Sequence, residues 1–158
     1  MKMTKRLLAF ILIVILTISA LSASVFASGF SNISTKGDEL VFPREKDLQY
    51  PFRTATVKAS RANGSIYFMP EPEAGHGNLG TVKHGTSVYI LAKRNGYYFF
   101  VTEDGYMGWN GTKYFKLTGT ASADEVYDYI DTPELEELFD GDDDYLYFLD
   151  YVGALMWQ

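Results

Sequence analysis

Between residues 56 and 117 the chain alternates short runs of β-branched and aromatic residues with turn residues. The runs cover residues 56–60, 65–69, 79–82, 86–92, 97–102, 106–109 and 113–117. Asn95-Gly96 and Asp104-Gly105 each separate two apolar runs, and both dipeptides favour the type I′ turn, whose two central residues need positive φ. Short strands joined by tight turns predict a mainly β fold, namely a small antiparallel β-barrel.

The two longest runs are apolar on both faces. Successive side chains of a strand point to opposite faces, and in 86–92 and 97–102 neither face is polar. A strand that is apolar on both sides is normally covered on both sides. We therefore expect another element to cover an apolar sheet face formed by Tyr89, Leu91, Tyr97, Phe99 and Val101.

Residues 122–158 predict helices that could supply this cover. Ser122 and Glu125 have the spacing of a capping box, which opens a first helix. Thr132 and Pro133 suit the N-cap and first turn of a second helix, and the acidic residues that follow are favourable at a helix start.

A third helix is predicted over residues 145–156. Its apolar residues recur at helical spacing and share one face: Tyr145, Phe148, Leu149, Val152, Leu155 and Met156. We expect this face to dock on the apolar sheet face. The alternative is that the tail is a detachable segment that recognises another protein.

The first 27 residues have the order of a secretory signal peptide. Lys2, Lys5 and Arg6 precede a long uncharged apolar run, and the small residues that end at Ala27 predict cleavage after that residue. The run of residues 7–27 is also long enough for an uncleaved membrane anchor, which is the alternative.

The remaining chain divides into three segments. Residues 28–54 are polar with little periodicity and are interpreted as a lead-in arm, whose apolar pieces at 40–43 and 48–52 contain Pro and are therefore expected at edges or turns. Residues 55–118 form the predicted barrel. Residues 119–158 form the helical C-terminal extension.

Charge follows the same division. The chain has 14 Lys and Arg against 20 Asp and Glu. Residues 28–121 hold 11 basic and 8 acidic residues, whereas residues 122–158 hold 12 acidic residues and no basic one. A weakly basic body thus carries a strongly acidic tail. The low count of Lys and Arg argues against nucleic acid as a partner, because phosphate recognition depends on clustered cations.

Candidate catalytic chemistry is sparse. The absence of Cys excludes disulfides, thiol nucleophiles and Cys-ligated metals. No Gly-x-Ser-x-Gly elbow occurs, and His76 and His84 lie in Gly-containing turns. We therefore expect a protein that is not an enzyme and needs no cofactor.

One acidic run has a partial calcium-loop spacing. Asp140, Asp142 and Asp144 occupy the first, third and fifth positions of such a loop, but Tyr145 and Tyr151 stand where it needs Gly and a bidentate Glu. A solvated acidic loop is the favoured interpretation, and no metal site is assigned. Weak calcium binding stays open.

Four pieces of the body resemble the bacterial SH3-like (SH3b) domain over residues 55–117. They are Ile66-Tyr67-Phe68-Met69-Pro70-Glu71-Pro72; Leu79-Gly80-Thr81-Val82 with Gly85-Thr86-Ser87-Val88; Asn95-Gly96-Tyr97-Tyr98; and Asp104-Gly105 with Gly108-Trp109. Two positions depart from the pattern, since Met69 stands where the family usually has Arg and Tyr97 where it has Trp. The resemblance implies an SH3-like barrel that is non-catalytic and binds peptidoglycan or its peptides.

Exposed aromatic residues are the candidates for ligand contact, because Tyr and Trp combine a large contact area with a polar group. The predicted ligand-binding residues are Tyr67, Tyr98, Tyr106, Trp109 and Tyr114. A loop formed by residues 71–78 would be a flexible wall of the site. Trp109, beside Gly108, has the alternative role of a packing residue.

The sequence therefore predicts a secreted, non-catalytic SH3b-type binding module at the cell envelope that recognises wall peptide or glycan. The alternative is an interaction or structural component in which barrel and acidic tail engage a secreted or membrane protein. Membrane attachment is expected only if the leader stays uncleaved.

Overall fold

The computed structural model describes residues 40–75 and 77–158. The predicted signal peptide, most of the polar part of the arm, and His76 lie outside the described residues. Within them the chain forms seven strands: β1 (Leu48–Val57), β2 (Ser65–Phe68), β3 (Gly80–Lys83), β4 (Ser87–Arg94), β5 (Tyr97–Thr102), β6 (Met107–Gly111) and β7 (Phe115–Ala121). Three α-helices follow: α1 (Ala123–Ile130), α2 (Pro133–Leu138) and α3 (Asp143–Leu155).

The strands form two antiparallel sheets, so the prediction of a mainly β fold with a C-terminal helical extension is confirmed. The larger sheet has the order β6-β5-β4-β1-β7, and β2 pairs with β3. Met69, directly after β2, exchanges two backbone hydrogen bonds of 2.9 Å with Trp109 of β6, which joins the small sheet to the edge of the large one. In the described residues the five-stranded sheet does not close on itself, and a closed barrel stays a prediction.

Both predicted hairpins are present, but their turns differ. Asn95 and Gly96 have φ of 52° and 81° between β4 and β5, as a type I′ turn requires. Between β5 and β6 positive φ is confined to Gly105, at 82°, and the turn is closed by Gly105 N–H donating to Thr102 O at 2.9 Å. The prediction of a type I′ turn at the second hairpin is therefore wrong, although the hairpin itself is correct.

Strand β1 corrects the expectation for residues 48–52. It begins at Leu48, inside the predicted arm, and is an internal strand of the large sheet, between β4 and the edge strand β7. Proline lacks the N–H that a ladder needs. Pro51 is tolerated because the register with β4 is interrupted between Leu48 and Arg53, and pairing with β7 starts only at Phe52.

The sequence of the tail determines its three helix starts. The Ser122 hydroxyl accepts a hydrogen bond from Glu125 N–H at 3.3 Å, and the Thr132 hydroxyl accepts from Leu135 N–H at 3.3 Å. Asp142 Oδ1 caps α3 by accepting from Asp144 N–H at 2.9 Å and from the next amide at 3.2 Å. Each cap satisfies amides that a helix N-terminus leaves unpaired.

The tail covers the large sheet, as expected. The buried Phe148 of α3 lies with its ring 5.5 Å from Phe99 of β5. Tyr89 is covered instead by α1: its ring stacks on Tyr129 at 5.3 Å, and its hydroxyl donates to Glu125 Oε1 at 3.2 Å. Burial raises the pKa of the Tyr89 hydroxyl, and the neighbouring Tyr129 and Glu125 raise it further.

Two details of the predicted apolar sheet face are wrong. The ladder between β4 and β5 shifts register between Ile90 and Ala92, so Leu91 lies in an irregularity of β4 and Ala92 pairs with Phe99. A bulge of this kind interrupts strict alternation. Tyr97 lies at the hairpin end of β5 and lines a cleft there, described below.

The arm is part of the core, which the sequence did not predict. Phe42 is buried, and its ring lies 5.0 Å from Phe139, 5.4 Å from Tyr145, 5.6 Å from Phe148 and 6.4 Å from Phe99. The arm therefore lies between the sheet and the C-terminal helices, and all three join in one aromatic cluster.

An ion pair attaches the arm to the sheet. The Arg94 guanidinium, from the end of β4, donates through Nε to Asp47 Oδ2 at 3.0 Å and also pairs through its second nitrogen with the same oxygen. Burial by itself would raise the pKa of the Asp47 carboxyl, but hydrogen bonds from Arg94 and from the Arg44 amide, with both guanidinium charges, hold it below its ordinary value of 3.8. Arg94 also lies 5.2 Å from the centre of the Trp109 ring.

Among the described residues no helix is long and apolar enough to cross a membrane.

Candidate ligand-binding cleft

A cleft of about 510 Å³ opens where the turn after β1, strand β2 and the segment between β6 and β7 meet. Three tyrosines line it, Tyr67, Tyr97 and Tyr114, and we name it the tyrosine cleft. Its other walls are small, apolar or basic residues, with Asn110 and Gly111 of β6 between them. An open cleft with several aromatic rings is a typical site for an extended ligand.

Strand alternation exposes Tyr67. In β2 the side chains of Ile66 and Phe68 are buried, and the Phe68 ring stacks on Phe100 at 4.7 Å. Tyr67, between them, must point away from this core and is 55% exposed. Packing of its two neighbours therefore fixes the direction of the Tyr67 side chain.

Tyr97 and Tyr114 are brought together by the hairpin and by a single 3-10 turn, Thr112–Tyr114. Thr112 N–H donates to Gly96 O at 3.0 Å, and Tyr97 pairs with Gly111 in the sheet. On the other side, Lys58 N–H donates to Tyr114 O at 2.7 Å. These backbone bonds hold both tyrosines without using their hydroxyl groups.

Asn110 joins the two sheets beneath the cleft. It is only 6% exposed, its Nδ2 donates to Tyr67 O at 2.7 Å, and its Oδ1 accepts from Gly111 N–H at 2.7 Å. A buried amide with both of its polar atoms bonded fixes the strands that it joins. Asn110 therefore acts as a positioning residue for Tyr67.

The cleft is positively charged. Arg61, from the turn after β1, and Lys113, from the 3-10 turn, both line it, and Lys113 Nζ lies 4.9 Å from the centre of the Tyr114 ring. The described residues that line the cleft include neither Asp nor Glu. The turn that carries Arg61 is closed by Gly64 N–H donating to Arg61 O at 2.9 Å.

Of the five predicted ligand-binding residues, the structure brings Tyr67 and Tyr114 together in the cleft. Tyr98 is partly buried with its ring 5.9 Å from Phe115, and Tyr106 lies 6.2 Å from Phe68; neither lines the cleft. Both therefore lie beside rings of the core instead.

Trp109 requires a correction. It is fully buried, its ring lies 5.2 Å from Phe99, and its Nε1 donates to Val41 O of the arm at 2.7 Å. The indole therefore has no free surface for a ligand, and its role is the packing role that the sequence left as the alternative. Gly108 beside it lies against β2, where an added Cβ would be 3.0 Å from Phe68 Cβ.

Four cleft residues were missed from the sequence: Tyr97, Arg61, Lys113 and Asn110. The Asn-Gly turn located the hairpin end at which Tyr97 lies, but nothing in the local pattern connects Arg61 with Lys113. Met69, where the SH3b pattern has Arg, also lines the cleft.

The described histidine and the acidic run have structural roles. His84 Nδ1 accepts a hydrogen bond from Ala59 N–H at 3.1 Å, a structural role at the base of the turn after β1. Within residues 40–75 and 77–158 no group of three or more His, Asp or Glu side chains is placed to hold a metal ion. In the acidic run, Asp142 caps α3.

Comparison with known proteins gives no relative: no protein-family model matches the chain, and no curated protein or solved structure shows significant similarity to it.

Proposed function

We propose that this protein is a secreted, non-catalytic SH3b-type binding module at the cell envelope, and that it recognises peptidoglycan or wall peptides through the tyrosine cleft. The observation that carries this proposal is the convergence of Tyr67, Tyr97 and Tyr114 with two cations in one open cleft. The resemblance in residues 55–117 and the signal-like leader support it.

The cleft has the properties that a binding module needs. Tyrosine offers a rigid apolar ring with a polar hydroxyl, so it contacts sugars and peptides at low cost in conformational entropy. Backbone hydrogen bonds and Asn110 hold the strands and the turn that carry the three rings, so the cleft is preorganised for a ligand.

Sedimentation with purified cell walls tests the proposal. We expect the protein to be retained at low salt, and Tyr67→Ala and Tyr114→Ala each to weaken retention about 5- to 100-fold, the range for loss of one stacking ring. Tyr147→Ala is the matched control, because Tyr147 is 56% exposed on α3, outside the cleft. No retention of the wild type, or equal retention of all variants, would contradict the proposal.

A second candidate is the protein-interaction component, and one observation favours it. Leu146 and Tyr147 of α3 are more than half exposed, and Trp157 just beyond the helix is 89% exposed. Exposed apolar side chains mark an interaction site where they form one contiguous patch, whereas single ones are normal on a surface. For this function Leu146→Asp and Trp157→Ala should abolish capture of a partner, whereas Tyr67→Ala should leave the capture unchanged.

A further inference from the structure

The two cations of the tyrosine cleft lack counter-charges. Within the described part of the chain neither Arg61 nor Lys113 forms an ion pair, whereas Arg44 and Arg94 both pair with Asp47. Two positive groups that face one cleft without a carboxylate raise the local concentration of anions and favour an anionic ligand.

The rest of the lining decides which anion fits. Besides the tyrosines, the lining includes four apolar side chains, those of Ala59, Ile66, Met69 and Ala74. A phosphate polymer needs a track of cations along its backbone, and this cleft offers two. A ligand with one or two carboxylates and small apolar side chains matches this lining better than a phosphate polymer does. A peptide with a free carboxylate is such a ligand.

We propose that the tyrosine cleft binds a peptide by a free carboxylate, which Arg61 and Lys113 neutralise while the tyrosine rings pack on the neighbouring apolar side chains. The proposal rests on the proposed function and narrows its ligand to the carboxylate-bearing part of a wall peptide. Arg61 contributes more of the binding free energy than Lys113, because its guanidinium donates two parallel hydrogen bonds to a carboxylate, whereas the Lys113 ammonium acts as a point charge.

Calorimetric titration of the protein with two probes tests this. One probe is a synthetic peptidoglycan stem tetrapeptide with free carboxylates, and the other is the same peptide with every carboxylate converted to a carboxamide. We expect the carboxamide probe to bind about tenfold or more weakly. Arg61→Ala should weaken the free peptide about tenfold and Lys113→Ala about threefold, and neither should change the affinity of the carboxamide.

Lys93→Ala is the matched control, since Lys93 is exposed on β4 and does not line the cleft. It should bind both probes like the wild type. Arg61→Lys keeps the charge without the paired donors and should lose less affinity than Arg61→Ala. Arg61 is exposed and has no ion-pair partner among residues 40–75 and 77–158, so these variants should unfold like the wild type. Equal affinity for the two probes, or no effect of Arg61→Ala, overturns the proposal.

Wall binding separates this proposal from the function on which it rests. Retention on walls with equal affinity for the two probes leaves the proposed function intact and overturns the carboxylate site. A preference for the free carboxylate without retention on walls supports the carboxylate site and rejects wall recognition. Walls stripped of phosphate polymers by acid should still retain the protein; loss of retention there overturns the carboxylate proposal in favour of a phosphate ligand.

Discussion

Phe148 tests most directly whether the acidic tail belongs to the folded body. Its ring is fully buried, 5.5 Å from Phe99 of the sheet and 5.6 Å from Phe42 of the arm. Phe148→Ala removes a ring that the sheet, the arm and α3 share, and Phe-to-Ala changes in cores cost about 3–5 kcal/mol. Because a domain of this size is stable by about 5–15 kcal/mol, the loss should be a large part of the total.

Urea unfolding followed by circular dichroism measures this loss. Tyr147→Ala is the control, because Tyr147 is adjacent on the same helix but 56% exposed. It should change the free energy of unfolding by no more than about 0.5 kcal/mol. In a thermal scan, Phe148→Ala should lower the midpoint by about 10–30 °C, at about 3–6 °C per kcal/mol for a domain of this length.

Equal unfolding midpoints for the two variants would refute the reasoning, since the tail would then be detached in solution. Deletion of residues 122–158 is a second route to the same answer. It uncovers Phe99 and Tyr89, both buried by the tail, and we expect an insoluble or molten product. A soluble truncated chain with cooperative unfolding would contradict the docking.

Three further predictions concern the arm and the sheet. Asp47→Asn should lower the free energy of unfolding by about 2–4 kcal/mol at pH 7, because it leaves the Arg94 guanidinium without its carboxylate. Since the folded carboxyl has a pKa below that in the unfolded chain, its contribution is fully present above pH about 4 and is lost as the pH falls through the folded pKa. The urea midpoints of variant and wild type should therefore differ at pH 7 and draw together progressively below pH about 4. Gly108→Ala should lower the free energy of unfolding by about 1–3 kcal/mol, because the added methyl group overpacks the contact with β2. Gly111→Ala should leave it nearly unchanged, because a Cβ there would lie at an ordinary contact distance of 3.6 Å. Denaturant midpoints of the two variants measure the difference. In Trp157→Phe the remaining indole, Trp109, should emit at short wavelength and resist acrylamide quenching; ready quenching would contradict its burial.

The elements that depend on local chemistry were predicted from the sequence. Asn95-Gly96 located a hairpin because few dipeptides accept two positive φ values, and the caps at Ser122 and Thr132 located two helices. The third helix followed from the spacing of its apolar residues, and its docking followed from strands that are apolar on both faces.

The features that were not predicted from the sequence depend on contacts between residues far apart in the chain. A proline in residues 48–52 indicated an edge, but an interruption in the pairing allows that strand to lie inside the sheet, between β4 and β7. Trp109 had two interpretations from the sequence, ligand contact and packing, because its burial depends in part on the distant arm, whose Val41 O accepts from the indole Nε1. Arg61 and Lys113 meet in one cleft through the sheet topology, and no local pattern encodes that meeting.

The position of Phe42 has a consequence for how the chain folds. Its ring packs against Tyr145 and Phe148, roughly 100 residues later in the sequence, and such non-local contacts slow folding because a long loop must close first. The aromatic cluster is complete only when α3 has been synthesised. We therefore expect a growing chain to stay loosely structured until α3 has left the ribosome.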